Sequence, residues 1–191
     1  MLFRSHNVHR NAAAPYGLDS ALSLRNSAVH EMDVTRWLLG EEYESVTVTS
    51  GKPGPDVPAG QRDPLFVTFL SRSGVIVTIE MFISARYGYE VTCQVVGSDG
   101  VLDMGDGSFI TCTNRGMRGQ DIPELWLGRF GAAYRAELQG WIDHINGVRE
   151  SAGANAWDGY AAAAAAQASI EALNSEGAVG VKLPNRPSLY E

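Results

Sequence analysis

Residues 65–70 and 75–83 are two β-branched and aromatic runs separated only by Ser71-Arg72-Ser73-Gly74. So short a Gly-containing connection forces neighbouring strands to pair antiparallel, which commits the chain to a sheet built from hairpins. Val67, Phe69, Val75, Val77 and Ile79 stand at alternating positions of these strands. We expect them to line an exposed apolar face of the sheet, suited to self-association.

Other stretches extend the sheet. Residues 2–9 and 89–96 read as strands, and 44–49 alternates Val with Thr and Ser at period two. Shorter strands are expected at 101–104, 109–113 and, at an edge, 179–183. The Pro- and Gly-rich residues 51–63 and the Gly- and charge-rich residues 114–121 read as loops. A helix is expected from about Ser20 to Leu39, with Leu22, Ala28, Val29, Met32 and Leu39 on its core side and Gly40 as its stop. Apolar spacing predicts a second helix over 130–148. A third is predicted over 156–173, with Asn155 as N-cap and Asp158 in a capping-box position. Strands joined by short turns, flanked by helices, indicate an α+β fold in which a mostly antiparallel open sheet carries helices on one face. One domain over residues 1–191 accommodates all of it.

Composition excludes several functions. The net charge of −7 and the lack of a basic run with interleaved aromatics argue against nucleic acid. No apolar run approaches a membrane span or a leader sequence, so a cytoplasmic protein is expected. Cys93 and Cys112 are far apart and form no metal-binding or disulfide pattern; each is expected to act as a small hydrophobe in a strand. The turns Gly97-Ser98-Asp99-Gly100 and Gly105-Asp106-Gly107 lack the spacing of a dinucleotide fingerprint, and none occurs elsewhere.

Asn26, His30, Asp33 and Trp37 are four, three and four residues apart, so they form one column on the first helix. The column borders the apolar stripe, so its polar groups are expected half-buried at the rim of a cleft, where an imidazole with a carboxylate nearby suits proton transfer. Spacing alone favours the plainer alternative, a local His30–Asp33 pair. His9-Arg10-Asn11, at a strand end, taken singly reads as a solvated edge rather than a ligand contact.

Read together, several segments change that balance: His9-Arg10-Asn11, residues 27–40 (Ser-Ala-Val-His-Glu-Met-Asp-Val-Thr-Arg-Trp-Leu-Leu-Gly), Arg86-Tyr87-Gly88-Tyr89, Val96-Gly97-Ser98-Asp99-Gly100, Trp157-Asp158-Gly159-Tyr160 and Arg186-Pro187-Ser188-Leu189-Tyr190. In this order, and over essentially the whole chain, they resemble the glucose–fructose oxidoreductase and inositol dehydrogenase family. The resemblance implies the family's C-terminal substrate-binding and oligomerisation domain, of the dihydrodipicolinate-reductase-like type, without its NAD- or NADP-binding Rossmann domain. It implies His30 as the histidine that takes the substrate's hydroxyl proton, with Asn26 beside it. His9, Asn11, Ser27, Asp33 and Tyr87 would contact the hydroxyls of a polyol or sugar.

It further implies no cofactor within this chain, a homo-oligomer through the sheet face and a Rossmann domain as partner. Two departures stand out. The family's catalytic lysine belongs to the Rossmann domain, and the family usually has aspartate where this chain has Asn26. We therefore expect no catalysis by this chain alone, or else a binding and assembly module.

Overall fold

The period-two runs become strands. The computed structural model describes residues 2–10, 19–55, 57–104, 111–150 and 153–190. Its strands are β1 (Leu2–Arg10), β2 (Tyr43–Ser50), β3 (Leu65–Ser71), β4 (Ile76–Phe82), β5 (Glu90–Gly97), β6 (Val101–Met104), β7 (Thr111–Asn114), β8 (Met117–Gln120) and β9 (Val179–Gly180). Seven of them form one sheet in the order β6-β5-β1-β4-β3-β2-β9, and β7 and β8 form a separate hairpin. Within the large sheet β1 and β4 run parallel, and the other neighbours are antiparallel. The parallel pair needs a long crossover, which the first helix and the β2–β3 hairpin supply.

β8 occupies a stretch whose composition predicts a loop. Arg115 and Gly116 both take positive φ (49° and 79°), so the glycine serves a two-residue turn of the kind that matches strand twist. The predicted turn at 97–100 closes with Gly97 N–H donating to the Gly100 carbonyl at 2.9 Å. The expected strand at 109–113 is seen only from Thr111 onward, because its first residues, the Gly105-Asp106-Gly107 turn and residues 11–18 lie outside the described residues.

The first helix runs over the expected span in three pieces: α1 (Ser20–Ser23), a π-helical turn (Leu24–Ala28) and α2 (Val29–Leu39). Gly40, at φ 67°, ends it in the left-handed conformation. The π turn winds more slowly than an α-helix, and this re-phases the core stripe. Leu24, Ala28, Met32 and Thr35 are buried, whereas Leu22, expected inside, is swung out to 44% exposure. Downstream come α3 (Trp126–Ile145) and α4 (Ala156–Ala172). α4 starts with the predicted capping box: the Asn155 side chain accepts from Trp157 N and Asp158 N, and Asp158 accepts from Asn155 N. No described helix is long and apolar enough to cross a membrane.

α2 and α4 cover one face of the sheet. The alanines of α4 that point inward, among them Ala161, Ala165, Ala166 and Ala172, let that helix sit close on β2 and α2. Between the layers, Tyr43 stacks on Phe69 with ring centres 4.1 Å apart, and its hydroxyl donates to the Met32 carbonyl at 3.0 Å. This arrangement corrects the expected exposed face. Val67, Phe69, Val75, Val77 and Ile79 are all buried, and the uncovered side instead carries Phe66, Leu70 and Ile76. Alternation separates two faces, but it does not say which one the helices will cover. Cys93 is buried as expected; Cys112, on the β7–β8 hairpin, is exposed.

Candidate functional site

At the C-terminal end of β1 and along α2, the fold sorts polar groups onto two sides of one helix. Ser5, Asn7 and His9 alternate onto the helix-covered face of β1 and are buried. His9 is therefore an inward residue rather than a solvated strand end. Its Nδ1 lies 2.9 Å from Glu31 Oε1, with His9 4% and Glu31 3% exposed. Tyr89 meets the His9 ring edge-to-face at 5.5 Å and itself packs on Phe130 at 6.1 Å. Burial, with the charge of Glu31 added, pushes the Tyr89 phenol up to about 12. Glu31 Oε2 is buried without a hydrogen-bond partner among the described residues.

On the outward side stand the column residues. Asn26 and His30 are exposed, Asp33 is half-buried and Trp37 is exposed. The imidazole of His30 makes no hydrogen bond to a described residue, so the local His30–Asp33 pair does not form. Asp33 instead faces Arg36, with Arg36 Nη1 to Asp33 Oδ1 at 3.5 Å. Burial pushes its carboxyl above the ordinary range, while Arg36 and His30 pull the other way.

Arg36 is the hub of this side. Its buried guanidinium forks onto Glu42 at 2.6 and 2.7 Å and reaches α4 through the Asp158 carbonyl at 3.4 Å. Trp157 Nε1 donates to Glu42 Oε1 at 3.1 Å. Burial works against the charge on Glu42, but the Arg36 hydrogen bonds and charge outweigh it and hold the carboxyl below its ordinary value.

The remaining candidates divide. Ser27 is buried in the π turn beside Ala28, on the inward side. Asn11 lies outside the described residues. Tyr87, 50% exposed, stands with Arg10, which lies on the sheet face opposite His9 and pairs with Glu80 at 2.6 Å and Glu90 at 2.7 Å. Tyr87 also lines a largely apolar pocket of about 250 Å³ with Pro55, Val57 and Phe82. No hydrogen bond joins it to His30 or Asp33.

Glu31 was the residue least visible from the sequence. Its one signal is position: a carboxylate three residues after Ala28 occupies a slot of the core stripe, where a charge needs a partner. That partner, His9, is 22 residues away and belongs to a strand.

The 97–100 turn leads from β5 into β6, not into a helix whose first amides could hold a pyrophosphate. The lysines, Lys52 and Lys182, are exposed, one in the 51–63 loop and the other just beyond β9. What the arrangement does offer is an accessible imidazole able to accept a proton, with hydrogen-bonding groups on both sides of its helix.

Comparison with known proteins bears on this arrangement. Residues 19–183 match the family described as the oxidoreductase family, C-terminal alpha/beta domain. Inositol 2-dehydrogenase 4 of Saccharopolyspora erythraea is 42% identical over 187 residues, which is 97% of this chain and 54% of that protein. Inositol 2-dehydrogenase of an Arthrobacter species is 40% identical, covering 99% of this chain and 56% of its own length. Among solved structures, myo-inositol dehydrogenase from Lactobacillus casei, in complex with NAD(H) and myo-inositol, superposes with a TM-score of 0.91 at 26% identity. That match covers 100% of this chain and 57% of that one. The chain thus spans about half the length of the relatives it matches.

Proposed function

Because the chain belongs to the oxidoreductase family defined by this C-terminal α/β domain, we propose that it is the substrate-binding part of an NAD(P)-dependent dehydrogenase acting on a secondary hydroxyl of a polyol such as inositol. Its 191 residues then act as one substrate-binding and assembly unit. The observation that carries this reading is the placement of His30. Its imidazole is exposed and uncommitted on a helix whose next residue, Glu31, is turned inward against His9. The relatives, inositol 2-dehydrogenases, supply the substrate class.

In this reading His30 accepts the hydroxyl proton at a ring nitrogen. Hydride acceptance belongs to the nicotinamide cofactor that such enzymes use, bound by polypeptide beyond these residues. Asn26, one turn before His30, offers the ring an amide partner, but as a neutral group it adds no charge to stabilise the imidazolium. His9, Asn11, Ser27, Asp33 and Tyr87 are the groups this reading assigns to the substrate's hydroxyls. A polyol needs many donors and acceptors at set positions, and this inventory provides both. A cytoplasmic location goes with the reading, since free Cys93 and Cys112 suit a reducing compartment.

Calorimetric titration tests it. Myo-inositol should bind, and NAD should not; saturable NAD binding by this chain would overturn the division of labour. Mixed with a family Rossmann domain, Asn26→Asp should raise inositol-dependent NAD reduction by about ten-fold or more. An unchanged rate would show that the amide is not limiting.

A second reading, an assembly module, draws on the uncovered sheet face, where exposed Leu70 and Ile76 are cross-strand partners and Phe66 lies further along β3. The occupant this face suits is a second copy of the chain. Sedimentation should then show a dimer, and a monomer at high concentration would count against it.

A further inference from the structure

The His9–Glu31 pair carries more than a contact. A side chain buried this deeply is held in one orientation, and the Glu31 carboxylate can only accept a hydrogen bond. At 2.9 Å the proton between them therefore sits on His9 Nδ1. Nε2, on the other side of the ring, has no hydrogen-bond partner among the described residues. Tyr89, edge-to-face at 5.5 Å, limits rotation of the ring. Glu31 leaves its own second oxygen, Oε2, buried and unpartnered among the described residues, which is costly for a group whose only role is to fill space. A side chain that satisfied packing alone at this slot would be apolar, like its stripe neighbours Ala28 and Met32.

We propose that Glu31 is a positioning residue. It holds the imidazole of His9 as the Nδ1–H tautomer, so that Nε2 presents a bare lone pair that accepts a hydrogen bond from a substrate hydroxyl. The inference rests on the polyol reading for the identity of the ligand. The tautomer itself does not depend on that reading. It also separates two histidines on neighbouring elements: His30 takes a proton, and His9 accepts a hydrogen bond without taking part in proton transfer.

Nitrogen-15 NMR of the imidazoles in mildly alkaline buffer tests this, with His9 assigned by loss of its signals in His9→Gln. In the unmodified protein Nδ1 should show the pyrrole-type shift and Nε2 the pyridine-type shift. A pyrrole-type Nε2, in either the neutral ring or the imidazolium, would overturn the proposal. In Glu31→Gln, whose amide offers either an acceptor or a donor, the shifts should move toward a mixture of tautomers. Glu31→Leu should lose the preference altogether. Unchanged shifts in a folded variant would mean that Glu31 does not set the tautomer; if the variants do not fold, the unmodified spectrum still decides.

Myo-inositol then separates this inference from the functional reading. Movement of the Nε2 signal on titration supports the acceptor role. Movement of other signals without Nε2 overturns it, and no movement anywhere counts against the polyol reading itself.

Discussion

α3 and α4 are the two long helices of the second half of the chain, and they invert the usual relation between pattern and burial. α3 has large apolar groups at helical spacing (Tyr134, Leu138, Trp141, Ile142 and Ile145), yet none of its residues is buried. α4, mostly alanine, has eight buried residues and packs on α2 and β2. Size explains half of this. Alanine lets a helix approach a sheet closely, and the sheet face under α2 and α4 is already filled by Tyr43, Phe69 and Met32. The other half is position: among the described residues α3 meets the sheet near its start, where Phe130 packs on Tyr89, while Tyr134, Leu138, Trp141, Ile142 and Ile145 stay exposed. A strong amphipathic stripe therefore says that a face is made to be covered, but not that this chain covers it.

The comparison can be broken by substitution. Phe69→Ala removes a fully buried ring from the covered layer and should cost about 4 kcal/mol in chemical denaturation. Arg36→Met should cost roughly 3 kcal/mol, because it leaves Glu42 without the guanidinium that ties α2 toward α4.

The same variant sharpens a pH effect. The Glu42 carboxyl titrates lower in the folded protein than its ordinary 4.5. The stability it contributes is thus present above that value and lost as pH falls through the folded value. Arg36→Met should flatten this acid-side loss; an unaltered pH profile would show that the pair is not its source.

Asn155→Ala, which opens the capping box of α4, should cost about 1 kcal/mol. Trp141→Ala on α3, at 63% exposure, should change stability by no more than about 0.5 kcal/mol. A loss there as large as at Phe69 would mean that the Trp141 side of α3 packs on this chain after all, and would undo the comparison.

Much of the fold was legible because its signals are local. The Ser71–Gly74 connection, the Gly40 stop and the Asn155–Asp158 box each depend on a few consecutive residues, and each appears where the sequence places it. Legibility failed where a local signal had two outcomes. Residues 114–121 have the glycine of a loop and also that of a hairpin turn. Leu22 belongs to the core stripe of a regular helix, but not to one re-phased by a π turn.

In the candidate site, the column of His30 and Asp33 followed from helical spacing, but only Asp33 is half-buried as expected; Asn26, His30 and Trp37 are exposed. The expected partnership between them did not form. Arg36, three residues from Asp33 on the same helix, competes for that carboxylate with a full positive charge.

By itself the sequence determined most of the strands, the Gly40 stop, the Asn155 cap and the family, since each is written in neighbouring residues or in motifs kept in order. Only the tertiary structure decided which sheet face is covered, that Glu31 turns inward to His9 and that Arg36 joins α2 to Glu42 and α4. These depend on groups from 6 to 122 residues apart along the chain. Such contacts form only when packing brings distant segments together, so no spacing rule within one segment can encode them.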